Sequence, residues 1–286
     1  MAADADTRDA LDSPLPPGIR PVVVASHRRS GTHLMIDFLR RQFDACRPAF
    51  RFGVNPHRYL YFVLDRFRPE HRNHVGVEAC MQVVRSMKAP PLKSHSTPDF
   101  PGFIEEGRLL SQAALREGVA LYCVRDVRAV LTSLHAFDRS NGQTDIVKLS
   151  DFIREEGPNG NRVRLWADHV RAWLALRPGV HVVRYESMVG DPSSMLDELA
   201  EVLGHEPRRR QPFLPPKLKH RQQLWLARIS GIPKSTNVIG RSRTIGVENW
   251  RTAYSDADLE VLEANAGDTM RELGYISGDD WTTPGR

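Results

Sequence analysis

Residues 21–43 read PVVVASHRRSGTHLMIDFLRRQF, and their pattern gives the first indication of the fold class. It opens with a β-branched run, Val22 to Ala25, which is bounded by polar residues and therefore predicts a buried strand. A polar turn follows, and the apolar residues after it recur at the spacing of one helix face: Leu34, Met35, Phe38, Leu39 and Phe43. The stretch therefore predicts a strand, a turn and a helix.

The same kind of unit recurs farther along the chain. Residues 121–124 are apolar and predict a second buried strand, and Asp126 is the expected N-cap of the helix after it. A helix over residues 166–174 leads into a strand over 180–185, and a further helix is predicted over 191–204. Strands alternating with amphipathic helices indicate an α/β fold, a single domain whose central parallel β-sheet is flanked by helices on both faces.

The composition is that of a folded globular protein. Of the 286 residues, 41% are hydrophobic and 26% are charged, which excludes disordered, collagen-like and disulfide-scaffold classes. No apolar run is long enough for a membrane span, and no signal-peptide core is present, so we expect a cytoplasmic protein. We expect residues 1–20 to form a disordered leader and residues 21–286 to form the domain. The three cysteines, Cys46, Cys80 and Cys123, show no paired spacing, so we expect buried thiols.

Two stretches within the predicted domain are expected to be lids or substrate-binding insertions. Residues 50–92 mix aromatic and basic side chains with weaker periodicity. Residues 205–245 are rich in Pro, Lys and Arg. Long irregular stretches in a compact domain commonly carry binding loops, so we expect the acceptor of any reaction to bind there.

The turn between the first strand and the first helix has the composition of an anion-binding loop. A helix N-terminus presents unpaired N–H groups and the positive end of the helix dipole. Ser30 and Thr32 add hydroxyl donors, and Gly31 allows the backbone to approach a ligand. Arg29 adds a full charge, in a chain with 34 arginines and six lysines. The loop is not a Walker A motif, because it lacks that motif's first Gly and its Lys.

Four segments, taken in order, resemble the cytosolic-type sulfotransferases. SHRRSGTHL, residues 26–34, is similar to the family's 5′-phosphosulfate-binding loop, and KSH, residues 93–95, is similar to its Lys-Thr-His catalytic motif. Arg125 and Ser133 have the residue types and spacing of the family's 3′-phosphate-binding segment. Residues 166–204 resemble its Trp-rich helix, the strand ending in Tyr-Glu-Asp-Met and the Asp-Pro helix. The resemblance therefore covers nearly all of the predicted domain.

The resemblance implies a PAPS-dependent sulfotransferase. Such an enzyme moves a sulfuryl group from 3′-phosphoadenosine-5′-phosphosulfate (PAPS) to a hydroxyl or amine of a small-molecule acceptor, and 3′-phosphoadenosine-5′-phosphate (PAP) is the product. It implies no metal and no nucleic-acid partner. The implied catalytic residues are His95 as general base, with Lys93 and Arg29 as cations. Residues 240–251 resemble, with departures, the family's C-terminal Arg-Lys-Gly stretch. The implied donor-binding residues are Arg29, Ser30, Gly31, Thr32, His33, Arg125, Ser133, Tyr185, Arg241 and Arg243.

Residue chemistry agrees with His95 as the base. The cation Lys93 two residues away, with Arg29 nearby, disfavours the imidazolium and leaves a neutral base near pH 7. Glu78 and Asp99 are reserve candidates, since a carboxylate can take the same role. Arg29 stands where the family usually has lysine, and a guanidinium stays protonated. Its expected role is therefore electrostatic only.

Two other functions remain open from the sequence. A small-molecule kinase would also use a phosphate cradle, although the Walker lysine is missing. A non-enzymatic module that binds anions or nucleic acid would keep the same fold, but a net charge of +5 is too mild to indicate nucleic-acid binding. Magnesium-dependent ATP binding would favour the first alternative, and steeply salt-dependent polynucleotide binding would favour the second.

Overall fold

A parallel β-sheet lies at the centre of the protein. The computed structural model describes residues 13–48, 60–212, 250, 252–278 and 280–281. Within them the strands are β1 (Val22–Ser26), β2 (Phe62–Val63), β3 (Pro91–Ser94), β4 (Val119–Val124) and β5 (Val180–Arg184). Their order across the sheet is β2-β3-β1-β4-β5, and every pairing is parallel. The carboxyl ends of the strands therefore share one edge of the sheet.

Helices connect the strands and flank the sheet. The α-helices are α1 (Thr32–Gln42), α2 (Val77–Val84), α3 (Glu105–Glu117), α4 (Val127–Ser140), α5 (Leu149–Arg154), α6 (Arg162–Leu174), α7 (Tyr185–Gly190), α8 (Pro192–Leu203) and α9 (Asp256–Glu272). Short 3-10 turns cover Asp44–Cys46 and Leu64–Phe67.

Both faces of the sheet are buried. Val23 and Ala25 of β1 belong to a core that they share with side chains of α2, α3, α4, α6 and α9. Val22 and Val24 belong to a second core, built with α1, α7 and α8. This division follows because successive side chains of a strand point to opposite faces. The predicted α/β architecture, a parallel sheet flanked by helices on both faces, is confirmed.

The helix boundaries read from the sequence also match the structure. Asp126 caps α4, its carboxylate accepting the Arg128 N–H at 2.8 Å. Asp191 caps α8 by accepting the Ser194 N–H at 3.0 Å. Gly204 follows α8 with φ 66°, the left-handed conformation that glycine adopts without strain. These local signals locate α4 directly after β4 and α8 shortly after β5.

The expected leader packs against the domain where the structure describes it. The Ser13 hydroxyl donates to Glu117 at 2.6 Å, at the end of α3. Leu15 is buried in the core that contains Val23. Residues 13–20 therefore belong with the folded chain, in contrast to our expectation, and residues 1–12 lie outside the described residues. One apolar side chain among prolines has no periodicity, so sequence alone did not reveal this packing.

Residues 60–92 differ from the expected irregular insertion. They form β2, the Leu64–Phe67 turn, α2 and the start of β3. Phe62 and Phe67 are almost fully buried in the first core. These elements are too short for periodicity to identify them, since β2 has two residues and α2 has eight. Residues 49–59 lie outside the described part of the chain.

The second expected insertion is described only at its start. Residues 205–212 form neither helix nor strand and run beside the end of α1, where the Arg208 N–H donates to the Gln42 carbonyl at 2.6 Å. Residues 213–249 lie outside the described residues.

The cysteines are buried and free, as predicted. Burial raises the pKa of Cys46 and of Cys123 to about 12, so both thiols stay protonated near neutral pH.

Candidate active site

Predicted site residues that the structure describes gather at the carboxyl edge of the sheet. The anion-binding loop follows β1, His95 follows β3, Arg125 follows β4 and Tyr185 follows β5. Parallel strands bring these connections together, although they are far apart in sequence.

The loop after β1 is shaped by two residues with positive φ. Arg29 has φ 70° and Gly31 has φ 99°. A Cβ atom on Gly31 would lie 2.6 Å from Cδ2 of Tyr185, so the loop backbone rests directly against this ring. At the same turn, the Thr32 hydroxyl is hydrogen-bonded to Ser26. At position 31, only glycine allows both the positive φ and the close approach to the Tyr185 ring.

Ser30 offers an unused donor in this loop. The residue is 1% exposed, and its hydroxyl has no hydrogen-bond partner among the described residues. A buried hydroxyl without a partner is costly, because it has lost its water and gained nothing in return. An anion in the loop would satisfy it.

Arg125 is a buried cation beside the loop. It is 6% exposed, and Nη1 donates to the Arg29 carbonyl at 3.3 Å. Its guanidinium lies 4.3 Å from the centre of the Tyr185 ring. Nε has no partner, and no carboxylate forms an ion pair with this side chain within the described ranges. A buried charge without a counter-charge indicates an anion site.

Arg128, three residues after Arg125, does have a carboxylate partner. Arg128 is fully buried, and it forms an ion pair with Asp126 at 2.7 Å. Its guanidinium also lies 3.7 Å from the centre of the Trp250 ring. Arg128 therefore stabilises the fold, and Arg125 faces the loop.

Arg29 lies next to the residues predicted for the 3′-phosphate. Its Nε donates to the Ser133 hydroxyl at 3.2 Å, and its guanidinium lies 4.7 Å from the centre of the Phe137 ring. Burial lowers the pKa of Arg29, and the cations Arg125 and Arg28 lower it further. The structure thus groups Arg29, Arg125 and Ser133 on one side of the loop.

Lys93 and His33 form a hydrogen-bonded pair on the other side. Lys93 is buried on β3, and its Nζ lies 3.1 Å from Nε2 of His33. Burial lowers the pKa of Lys93 to about 8, with Asp65 raising it and Arg28 lowering it. Burial also lowers the pKa of His33 to about 3, helped by Lys93 and Arg29. His33 is therefore neutral and accepts a hydrogen bond from the ammonium.

His95 is held in one tautomer by the strand beside it. Its Nδ1 lies 2.8 Å from the Ser26 carbonyl oxygen. A carbonyl only accepts, so Nδ1 carries the proton and Nε2 carries the lone pair. Burial and the Lys93 charge hold the pKa of His95 well below its usual range. The hydrogen bonds of the His95 ring to described residues involve Nδ1, which leaves the Nε2 lone pair able to take a proton.

Side chains that no sequence motif pointed to hold the peptide of His95, two of them directly and one through His169. Asp65 accepts the His95 N–H at 2.9 Å, and the Nε2–H of His169 donates to the His95 carbonyl at 3.2 Å. The Tyr122 hydroxyl donates to Nδ1 of His169 at 3.0 Å. These partners lie 30 and 74 residues from His95 in the chain, so local pattern carries no signal of them.

The reserve carboxylates are placed apart from this arrangement. Glu78 is exposed on α2 and pairs with Arg85 at 3.0 Å. Asp99 is exposed, and it accepts a hydrogen bond from the Thr97 hydroxyl. Neither is hydrogen-bonded to His95 or to the loop after β1.

Two of the predicted donor-binding residues, Arg241 and Arg243, lie outside the described residues. Across the described ranges, no group of His, Cys, Asp and Glu side chains could hold a metal ion. None of the described helices has the length and apolarity needed to cross a membrane.

Solved structures with the same fold are sulfotransferases and related proteins. A structure of mouse sulfotransferase SULT7A1 complexed with PAP superimposes with a TM-score of 0.53 and 15% identity, covering 88% of this chain and 85% of that one. A structure of retinol dehydratase in a complex with retinol and PAP superimposes with a TM-score of 0.53 and 16% identity, covering 92% of this chain and 85% of that one. A structure of retinol dehydratase with androsterone and inactive cofactor PAP has a TM-score of 0.51 and 15% identity, covering 92% of this chain and 84% of that one. At these identities the likeness concerns the fold.

Sequence comparison gives the family. No curated protein sequence matches the chain. The sulfotransferase domain family matches residues 20–272, a range that includes the loop after β1, His95 and Arg125. This match takes in most of the chain, and the protein therefore belongs to the sulfotransferase domain family.

Proposed function

We propose that the protein moves the sulfuryl group of PAPS to a hydroxyl or amine of a small-molecule acceptor by in-line transfer, with His95 as general base. The observation that carries this proposal is the 2.8 Å hydrogen bond from Nδ1 of His95 to the Ser26 carbonyl. It joins the base directly to the strand that leads into the anion-binding loop. It also leaves Nε2 unprotonated, which the reaction requires.

The buried cations and donors support PAPS as the donor. Arg125 and Ser133 are suited to the 3′-phosphate, and Ser30 with the rest of residues 29–33 to the 5′-phosphosulfate. Tyr185 is the proposed contact for the adenine, and its ring packs against Gly31 and Arg125. The solved complexes of mouse SULT7A1 and retinol dehydratase contain PAP, which agrees with this assignment. Arg241 and Arg243 remain part of the proposed donor site.

The reaction uses the matched residues in distinct roles. Nε2 of His95 takes the acceptor proton while the acceptor oxygen or nitrogen attacks sulfur, and the bond from sulfur to the 5′-phosphate oxygen breaks. Lys93 and Arg29 stabilise the charge that grows on the sulfuryl and phosphate oxygens. Arg29 stays protonated throughout. Lys93, with a pKa of about 8, is the one of the two that can release a proton near neutral pH.

The test is a transfer assay with labelled PAPS and a panel of phenols, sugars, lipids and secondary metabolites. We expect binding of PAP at micromolar concentration, acceptor-dependent release of PAP, and a product heavier by one SO₃ unit in mass spectrometry. ATP with Mg²⁺ is the control for a kinase. Absence of PAP and PAPS binding, or phosphate transfer from ATP in their place, would refute the proposal.

A further inference from the structure

The peptide groups of His95 and Ser96 are hydrogen-bonded entirely by side chains. On one side, the His95 N–H donates to Oδ2 of Asp65 at 2.9 Å, and the Ser96 hydroxyl donates to Oδ1 at 2.8 Å. On the side of α6, His169 donates to the His95 carbonyl at 3.2 Å, and Trp173 Nε1 donates to the Ser96 carbonyl at 3.1 Å. The Ser96 N–H donates to the Ser94 hydroxyl at 3.0 Å. The segment therefore has little freedom to move.

Asp65 is distinct among these partners because one carboxylate bonds two consecutive residues. It lies in the turn directly after β2, which pairs with β3 in the register Val63↔Lys93. Parallel pairing places the residues after β2 beside those after β3. The carboxylate thus connects the edge strand of the sheet to the loop that carries His95.

Asp65 also supplies negative charge close to Lys93. The groups acting on the Lys93 ammonium are Asp65 after β2, Arg28 in the loop after β1 and His33 on α1, with His95 two residues ahead. Of these, Asp65 raises the pKa of Lys93 and Arg28 lowers it. Without the carboxylate, a buried amine beside an arginine would lose its proton more easily.

We propose that Asp65 is a positioning residue for the transfer, its carboxylate fixing the peptide of His95 and opposing the buried charge of Lys93. This inference rests on the proposed function for its catalytic consequence. It assigns Asp65 no contact with donor or acceptor. Its effect passes through the orientation of the His95 ring and through the protonation of Lys93.

The decisive variant is Asp65→Asn, which keeps the shape but offers one acceptor oxygen for two donors and removes the charge. We expect kcat to fall about 10- to 100-fold, the usual effect of losing hydrogen bonds to a charged group. The KM for PAPS and the affinity for PAP should stay within about twofold, since Asp65 has no role in donor binding. Asp65→Glu should recover part of the rate. Asp197→Asn, an exposed aspartate on α8, is the matched control.

A structural role alone would not move the pH profile. In Asp65→Asn the alkaline limb of kcat should shift to lower pH, because Lys93 loses its proton below its pKa of about 8. The same shift is measurable without turnover, by NMR titration of lysine amines labelled with ¹⁵N. The chain has only six lysines, and Lys93→Arg identifies the signal.

These measurements separate the two proposals. If wild-type protein neither binds PAP nor transfers sulfuryl groups, the proposed function fails, and the NMR titration still decides whether Asp65 sets the charge of Lys93. Unchanged kcat and unchanged Lys93 titration in folded Asp65→Asn would overturn the inference. If that variant does not fold, Ser96→Ala removes one donor from the carboxylate, and a several-fold loss in kcat at constant KM for PAPS is expected. No loss in kcat there would overturn the inference as well.

Discussion

Replacing Gly31 with alanine should disable the anion-binding loop. The glycine has φ 99°, a conformation that residues with a side chain rarely adopt. The added Cβ would also lie 2.6 Å from Cδ2 of Tyr185, well inside contact distance. The loop and the ring cannot both keep their positions, so either the phosphate-binding backbone or Tyr185 must move.

The expected loss of stability has two parts. A residue held outside the allowed backbone regions costs about 1–3 kcal/mol. Forcing an extra carbon into a packed site costs a further 1–3 kcal/mol, roughly. Together they lower the free energy of unfolding by about 2–6 kcal/mol and the Tm by roughly 5–15 °C. Because Arg125 contacts both the Arg29 carbonyl and the Tyr185 ring, the same shift should weaken PAP binding at least about tenfold.

The assay combines thermal unfolding with calorimetric titration of PAP. Gly190→Ala is the matched control, since Gly190 lies in α7 without a positive φ and with no atom near a new Cβ. This control should be neutral or slightly stabilising, because alanine reduces the entropy of the unfolded chain. A double-mutant cycle with Tyr185→Ala then separates the clash from the backbone strain.

The double-mutant cycle also tests the contact between Gly31 and the Tyr185 ring. If the ring contact matters, Gly31→Ala should destabilise the Tyr185→Ala background less than the wild type. Equal losses of stability in the two backgrounds would attribute the whole effect of Gly31→Ala to backbone strain. Wild-type Tm and wild-type PAP affinity in Gly31→Ala would refute the close approach itself.

Three further outcomes are expected. His95→Ala should lower kcat by roughly 10² to 10⁴ while PAP affinity is retained, and a loss under tenfold in steady-state rates would contradict the general base. The pH profile should lack an acid limb near pH 6.5, because neutral His95 is required and its pKa lies well below that value; the alkaline limb should fall near pH 8, where Lys93 loses its proton. An acid limb between pH 6 and 7 would show that His95 titrates normally. Arg125→Met should weaken PAP binding about 10- to 100-fold, and the affinity for adenosine 5′-phosphosulfate, which lacks the 3′-phosphate, should stay nearly constant. Equal losses of affinity for the two ligands would contradict the assignment of the 3′-phosphate to Arg125.

Much of the fold could be predicted because its signals are local. The strand 22–25, the turn after it and the helix 32–42 follow from periodicity and helix-end chemistry within one stretch of chain. The caps Asp126 and Asp191 located two more helices in the same way. By contrast, β3 contains Pro91, Lys93 and Ser94, and only its place between two strands makes it a strand.

For the candidate site too, local signals could be predicted and contacts between distant residues could not. Sequence pattern identified the residue types at the loop after β1, at His95 and at Arg125, since these are contiguous motifs. It could not give the direction of a side chain. That Arg29 donates to Ser133, and that Lys93 pairs with His33, depends on which strands lie side by side.

Residue pattern alone predicted the strand, loop and helix of a candidate anion site, and the resemblance to sulfotransferases added His95 as the candidate base. Those properties depend on residue chemistry and on neighbours within a few positions. The hydrogen bond that fixes the tautomer of His95 on Ser26, and the one by which Asp65 holds its peptide, became visible in the three-dimensional structure. Such hydrogen bonds join residues 69 and 30 positions apart, and their geometry exists only once the parallel sheet aligns the strand ends.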